Sequence, residues 1–151
     1  LVPMLEGDAG VGIFEGALYR DRGVYRPTSS SRMRRYEDTF GPVNSEQWVL
    51  SLYRMTDGVR GFSPVSNNVQ LDAGALQEFA VSPFFGALIQ DVQWKWNGAD
   101  ITDPDNRNSV SVRPVSGLHT LELIVNDISG AIQKPPPHEG IFTWQWQVEV
   151  K

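Results

Sequence analysis

From Leu71 onward the chain alternates between apolar and polar positions. Phe142, Trp144, Trp146, Val148 and Val150 take every second place, with Thr143, Gln145, Gln147 and Glu149 between them. A period of two puts the apolar set on one face of an extended chain, which predicts a half-buried strand. Val92, Trp94 and Trp96 alternate with Gln93, Lys95 and Asn97 in the same way. Leu121, Leu123 and Val125 do so against Thr120, Glu122 and Asn126, although Ile124 makes the second face partly apolar. Shorter candidates are residues 69–71, 76–81 and 110–112. Turn signals separate these runs: Asp72-Ala73-Gly74, Asn97-Gly98, Asp103-Pro104-Asp105-Asn106, Ser116-Gly117 and Ser129-Gly130. Asn97-Gly98 suits a tight hairpin, because both residues tolerate positive φ.

Short strands at this spacing, without helical stretches, predict a mainly β fold with an immunoglobulin-like β-sandwich over residues 66–151. Two details favour that sandwich. A Trp-rich strand precedes the hairpin, where such folds place their core Trp. Gly117-Leu118-His119-Thr120-Leu121 then has the spacing of a tyrosine corner, with His119 at the tyrosine position. The first half has a different grammar. Glycine and arginine dominate residues 7–35 and no strict period holds, which predicts a loop-rich segment. One short helix is expected over about residues 45–56, capped by Asn44 or Ser45 and ended by Gly58. Its apolar face would hold Trp48, Val49, Leu52 and Tyr53. Residues 60–67, rich in Gly, Ser and Pro, read as the boundary between a region 1–60 and the sandwich.

Charge sharpens this division. Residues 1–60 hold eight Arg and eight Asp or Glu, while residues 61–151 hold five basic and ten acidic residues, the whole of the net −5. An acidic second half argues against nucleic acid or an anionic membrane as partner. No apolar run approaches the roughly 20 residues needed for a membrane span. The chain has no cysteine, which rules out disulfides and thiolate metal sites. Its first residues, Leu1-Val2-Pro3-Met4-Leu5-Glu6-Gly7, have neither the basic start nor the apolar core of a signal peptide, and they read as a cut into a longer chain.

Two resemblances bear on function. Val92-Gln93-Trp94-Lys95-Trp96-Asn97-Gly98 and the run from Gly117 to Asp127 resemble the polycystic-kidney-disease-type repeats of bacterial exoenzymes. In the first half, the order is Gly12-Ile13-Phe14-Glu15-Gly16-Ala17-Leu18-Tyr19, Gly23-Val24-Tyr25-Arg26-Pro27, Ser31-Arg32-Met33-Arg34 and Phe40-Gly41-Pro42-Val43-Asn44-Ser45-Glu46. These residues resemble the C-terminal end of the catalytic domain in the IgA-peptidase family of zinc metallopeptidases. The resemblance implies that residues 1–60 end such a domain, that zinc sits in the full-length parent, and that the partner is a protein or glycoprotein substrate. It also implies bacterial export to the medium or cell surface. In that chemistry two His of an HExxH helix bind zinc and the Glu polarises water. This chain has only His119 and His138 and no HExxH, so no catalytic residue and no cofactor is assigned to it. By similarity, Met33 would supply the methionine turn beneath the metal, although Ser31 stands where the family commonly has Cys. The alternative is a Met filling an ordinary core gap. Glu15, Tyr19 and Tyr25 would line the substrate cleft; otherwise they are loop residues bonded to backbone groups and nearby arginines.

Other candidates have plainer readings beside the functional ones. His119 suits a corner histidine bonded to backbone, and His138, after Pro135-Pro136-Pro137, suits a solvated loop residue. Asp100, Asp103 and Asp105, with Asn106, form an oxygen-rich loop able to hold calcium, or simply a set of turn formers. Arg32, Arg34 and Arg35 stand beside Glu37 and Asp38 and suggest local pairing. The sandwich tryptophans, Trp94, Trp96, Trp144 and Trp146, suggest a core, whereas an exposed row of them would suggest sugar stacking. The leading expectation is therefore the C-terminal fragment of a secreted zinc metallopeptidase, with the sandwich as accessory or substrate-contacting domain. The alternative is a non-enzymatic cell-surface binding module, adhesin-like or carbohydrate-binding.

Overall fold

The computed structural model describes residues 11–32, 35–36, 38–132 and 140–151. The chain divides into two compact units between Val49 and Leu50.

In the first unit β1 (Phe14–Ala17) and β2 (Arg20–Arg26) form an antiparallel hairpin, where the sequence suggests only irregular loops. The turn explains why the pattern hides it. Leu18 and Tyr19 both have positive φ, 50° and 60°, as a two-residue hairpin turn of the I′ kind requires. That turn is normally announced by Asn-Gly or Asp-Gly, and neither is present. The register slips between Glu15 and Ala17, where Gly16 has φ 95°. The slip breaks the period of two. The Arg26 guanidinium closes the irregularity by donating to the carbonyls of Glu15 and Gly16.

Helix α1 (Pro42–Thr56) starts earlier than Asn44 or Ser45 would place it. Proline suits a first helical position, since its missing N–H would be unpaired there anyway. Ser45 N–H already donates to the Gly41 carbonyl at 2.9 Å, so Ser45 lies inside the helix and does not cap it. At the other end Asp57 and Gly58 take φ of 52° and 75° and end the helix as expected. Leu50 and Tyr53 are its buried residues. Trp48, expected on the apolar face, is 59% exposed and meets the Phe40 ring at 6.4 Å. At about 100° per residue, Trp48 points away from Leu50 two positions later.

The second unit is built on two sheets. One is three-stranded, in the order β3 (Val59–Ser63), β5 (Gln77–Pro83), β8 (Ser109–Val112). The other runs β4 (Asn68–Leu71), β10 (Ile141–Val150), β9 (Gly117–Asp127), β6 (Gln90–Trp96), β7 (Ala99–Asp100). Phe79, Val81 and Val110 of the first sheet share one buried cluster with Val92, Trp94, Leu121, Leu123, Val125, Trp146, Val148 and Val150 of the second. The fold is mainly β, an immunoglobulin-like β-sandwich, as the alternation predicts. Asn97 and Gly98 make the β6–β7 hairpin with φ of 49° and 85°. The boundary expected at residues 60–67 needs correction. Val59–Ser63 is a strand paired with β5, and residues 64–67 carry the chain across to β4 on the opposite sheet. Gly and Pro there mark a change of sheet within one sandwich.

Trp94 and Trp146 are 0% exposed and stack at 6.0 Å, with Phe79 edge-on to Trp146 at 5.2 Å. Each indole N–H donates to a loop carbonyl, Trp94 to Arg107 at 2.8 Å and Trp146 to Pro64 at 2.9 Å. Replacing either Trp94 or Trp146 by Ala should cost about 3–5 kcal/mol in urea unfolding. Trp48→Ala should cost within about 0.5 kcal/mol, since that ring is exposed.

Candidate functional site

A concavity of the second unit lies where the end of α1 meets the start of β10. Gly58 makes the approach possible: a Cβ there would stand 2.8 Å from the Tyr53 ring and 3.1 Å from Gln90 Nε2. Gln90, the buried polar side chain, accepts from Phe85 N–H at 2.7 Å and donates to the Gly58 carbonyl at 2.8 Å. Tyr53 packs on Phe85 at 5.4 Å and donates its hydroxyl to Asp127 Oδ2 at 2.7 Å. Asp127 Oδ1 in turn accepts from Ser129 N–H and Oγ at 3.0 and 2.6 Å. Burial, and then the Asp127 carboxylate, push the Tyr53 hydroxyl well above its usual pKa. This tyrosine is thereby held neutral and fixed.

The groove beside it has a volume of about 460 Å³ and is lined by Tyr53, Arg54 and Asp57 on one side. Residues 140–144 of the β10 start form the other side. Phe142 and Trp144 turn inward, where the Phe62 ring meets them at 5.7 and 4.5 Å. Trp144 Nε1 is buried and is the side-chain donor without a hydrogen-bond partner among the described residues. Buried polar atoms are usually paired, so this donor stands out in the packing around the groove wall. The alternation of β10 signals its inward residues, but nothing in the sequence marks this groove. It depends on Tyr53 and Asp127, which are 74 positions apart.

The residues singled out from sequence are dispersed. Glu15 and Tyr25 face each other across the β1–β2 hairpin, and Tyr19 stands fully exposed at its turn. Glu15 Oε1 accepts from Gly23 N–H at 3.0 Å, which ties the carboxylate to its own hairpin. Met33 and His138 lie outside the described residues. Asp100 accepts from Thr102 N–H at 2.8 Å and from Gln93 Nε2 at 2.9 Å. Asp103 accepts from Asp105 N–H at 2.9 Å, and Asn106 donates to Ser109 Oγ. These are turn bonds, and among the described residues no group of three or more His, Cys, Asp or Glu is placed to hold a metal ion. The bond from Gln93, helped by Thr102, holds the Asp100 carboxyl down at about 2. His119 sits in the corner geometry, Nε2 at 2.9 Å from the carbonyl of Val115, four residues upstream. That contact assigns the proton to Nε2, so Nδ1 accepts from Asn97 Nδ2 at 3.1 Å, and the ring stacks on Trp96 at 5.0 Å. Both nitrogens are engaged, and zinc does not fit this histidine. The sugar-stacking alternative fares similarly: Trp94 and Trp146 are fully buried, and Trp96 and Trp144 are half-buried against the core.

Tyr53→Phe should lower stability by about 1–2 kcal/mol at neutral pH by removing the bond to Asp127. A raised folded-state pKa contributes stability that is fully present below the unfolded value of about 10 and is lost as pH rises through the folded value. The gap between wild type and Tyr53→Phe in urea unfolding should therefore narrow above about pH 10. Asp100 has the opposite sign: its contribution is present above about pH 4 and is lost as pH falls toward 2. A carboxyl NMR titration should place the Asp100 midpoint at about 2.

No protein-family model matches the chain, and neither does any curated protein. Solved structures do. One is a Bacteroides ovatus mixed-linkage glucan utilization locus protein, SGBP-B, in complex with a mixed-linkage heptasaccharide. It is 13% identical with TM-score 0.44, over 55% of this chain and 19% of that one. Another is a set of Clostridium thermocellum CbhA fibronectin(III)-like modules, 14% identical with TM-score 0.43, over 60% of this chain and 94% of the other.

Proposed function

We propose that the chain is a non-enzymatic binding module, adhesin-like in kind, whose site is the groove between the α1 end and β10. The observation that carries this reading is a groove of about 460 Å³ with Phe142 and Trp144 in its wall. Aromatic walls with a few polar groups are the usual make-up of a recognition site. Here Phe142 and Trp144 give the apolar wall, while Arg54, Asp57 and Thr143 give the polar rim. A flat tryptophan platform for sugars is a weaker account, because the fully covered Trp94 and Trp146 are spent on the core.

A second reading keeps the peptidase parentage, with the sandwich as accessory domain of an exported IgA-peptidase-family enzyme. It rests on the residue 10–55 motifs, and an HExxH helix encoded upstream of Leu1 is its direct test.

Peptide and glycan arrays probed with the full chain test the binding reading. A ligand from the peptide array should quench tryptophan fluorescence. Trp144→Ala, which removes the ring from the groove wall, should weaken it about three- to tenfold. Silence on both arrays would sink the reading.

A further inference from the structure

The groove has a feature that side chains alone do not describe. β4 covers β10 only from Gln147 to Val150. On that side Gln147 N–H donates to the Asn67 carbonyl at 2.7 Å, and Lys151 N–H to the Leu71 carbonyl at 3.0 Å. Main-chain groups alternate sides along a strand paired in this way. The N–H and C=O of Ile141, Thr143 and Gln145 therefore point to the β4 side as well. On the other side, the Gly140 carbonyl accepts from Asp127 N–H at 2.8 Å, which fixes the even-numbered residues toward β9. From Ile141 to Trp146 the ladder pairs β10 with β9 alone among the described strands. Among the described residues no strand pairs with that outer edge, which runs along the groove.

The remaining edges of the sandwich carry the usual protections. β7 has two residues and ends at Asp100. β8 has four residues and runs into Arg113-Pro114. β3 is irregular between Val59 and Gly61 and holds Arg60, and β4 has four residues. Short strands, charge, proline and bulges are how proteins blunt edges against pairing. Among the described residues, β10 from Ile141 to Trp146 has none of these. Its outward side chains are Ile141, Thr143 and Gln145, all exposed and uncharged.

We infer that this edge takes an extended, net-basic polypeptide segment of a partner protein as an added strand. The inference rests on the binding-module reading and names the ligand of the same groove. Donors and acceptors repeating every two residues, about 6.8 Å apart, match a polypeptide main chain and not a sugar polymer. The charge sets the partner's sign. Residues 61–151 carry five basic and ten acidic residues, so a basic segment is attracted while a second copy of this acidic chain is repelled. Alternate side chains of the guest strand would lie over Phe142 and Trp144 on the inner side.

The test is hydrogen exchange by NMR on the full chain, with a pool of heptapeptides alternating Thr and Val and flanked by Lys. Exchange at the amides of Ile141, Thr143 and Gln145 should slow at least about tenfold at saturation. Thr143→Pro removes one outward N–H, a position where an edge strand tolerates proline, and should weaken binding about tenfold. The same peptides N-methylated at every residue, so that neither edge can donate, probe wild-type chain, so no variant needs to fold, and they should fail to bind. Equal binding of the methylated pool, unchanged exchange at these amides, or dimerisation of the free chain through this edge each overturns the inference. Perturbed Phe142 and Trp144 signals with unprotected amides would overturn strand addition while leaving the binding module standing. No perturbation of the groove at all would overturn both.

Discussion

The stack of Trp94 on Trp146 is the contact on which the rest of the sandwich depends. Both rings project from the five-stranded sheet, and Trp146 meets Phe79 of the other sheet, so the stack sets the distance between the two layers. Their N–H groups also hold the chain where it leaves the strands. Trp94 fastens the loop at Arg107, and Trp146 fastens the crossover at Pro64. A buried indole needs an acceptor, and a loop carbonyl away from a ladder needs a donor. Each bond answers both needs. Large apolar area and two polar anchors are thereby concentrated in one pair of residues.

That arrangement has a cost that appears at the start of β10. Because the crossover from β3 is fastened at Pro64 beside Trp146, the chain reaches the β10 edge only at Asn67. β4 can then cover only the far half of β10. Phe142 and Trp144, continuing the same apolar face, are left half-buried with Phe62 against them. The end of α1 stands by, held through Tyr53 and Asp127, without closing the gap. Groove, orphan indole donor and open main chain thus share one origin in how the chain changes sheets.

Much of the fold was legible because alternation is a local property. The strands of residues 90–96, 117–127 and 141–150 follow from their period of two, and Asn97-Gly98 announces its hairpin by residue type. The β1–β2 hairpin was not legible, since Leu18-Tyr19 adopts positive φ without the customary residues and Gly16 interrupts the period. Trp48 was misplaced because several apolar residues of α1 compete for one face, and only packing decides among them. Residues 60–67 looked like a linker because Gly and Pro mark any departure from a strand, whether to another domain or to another sheet. His119 was readable as a backbone-bonding corner residue, although its partners Val115 and Asn97 belong to the tertiary structure.

By itself, then, the sequence determined that the second half is a β-sandwich, which faces of its long strands turn inward, and that it carries an acidic charge. The tertiary structure decided which tryptophans are fully covered and which are left at a groove, and where one strand edge stays open. The physical reason is range. A strand's inward face follows from the residue two positions away, whereas the cover on its edge depends on where a segment some 80 residues earlier arrives.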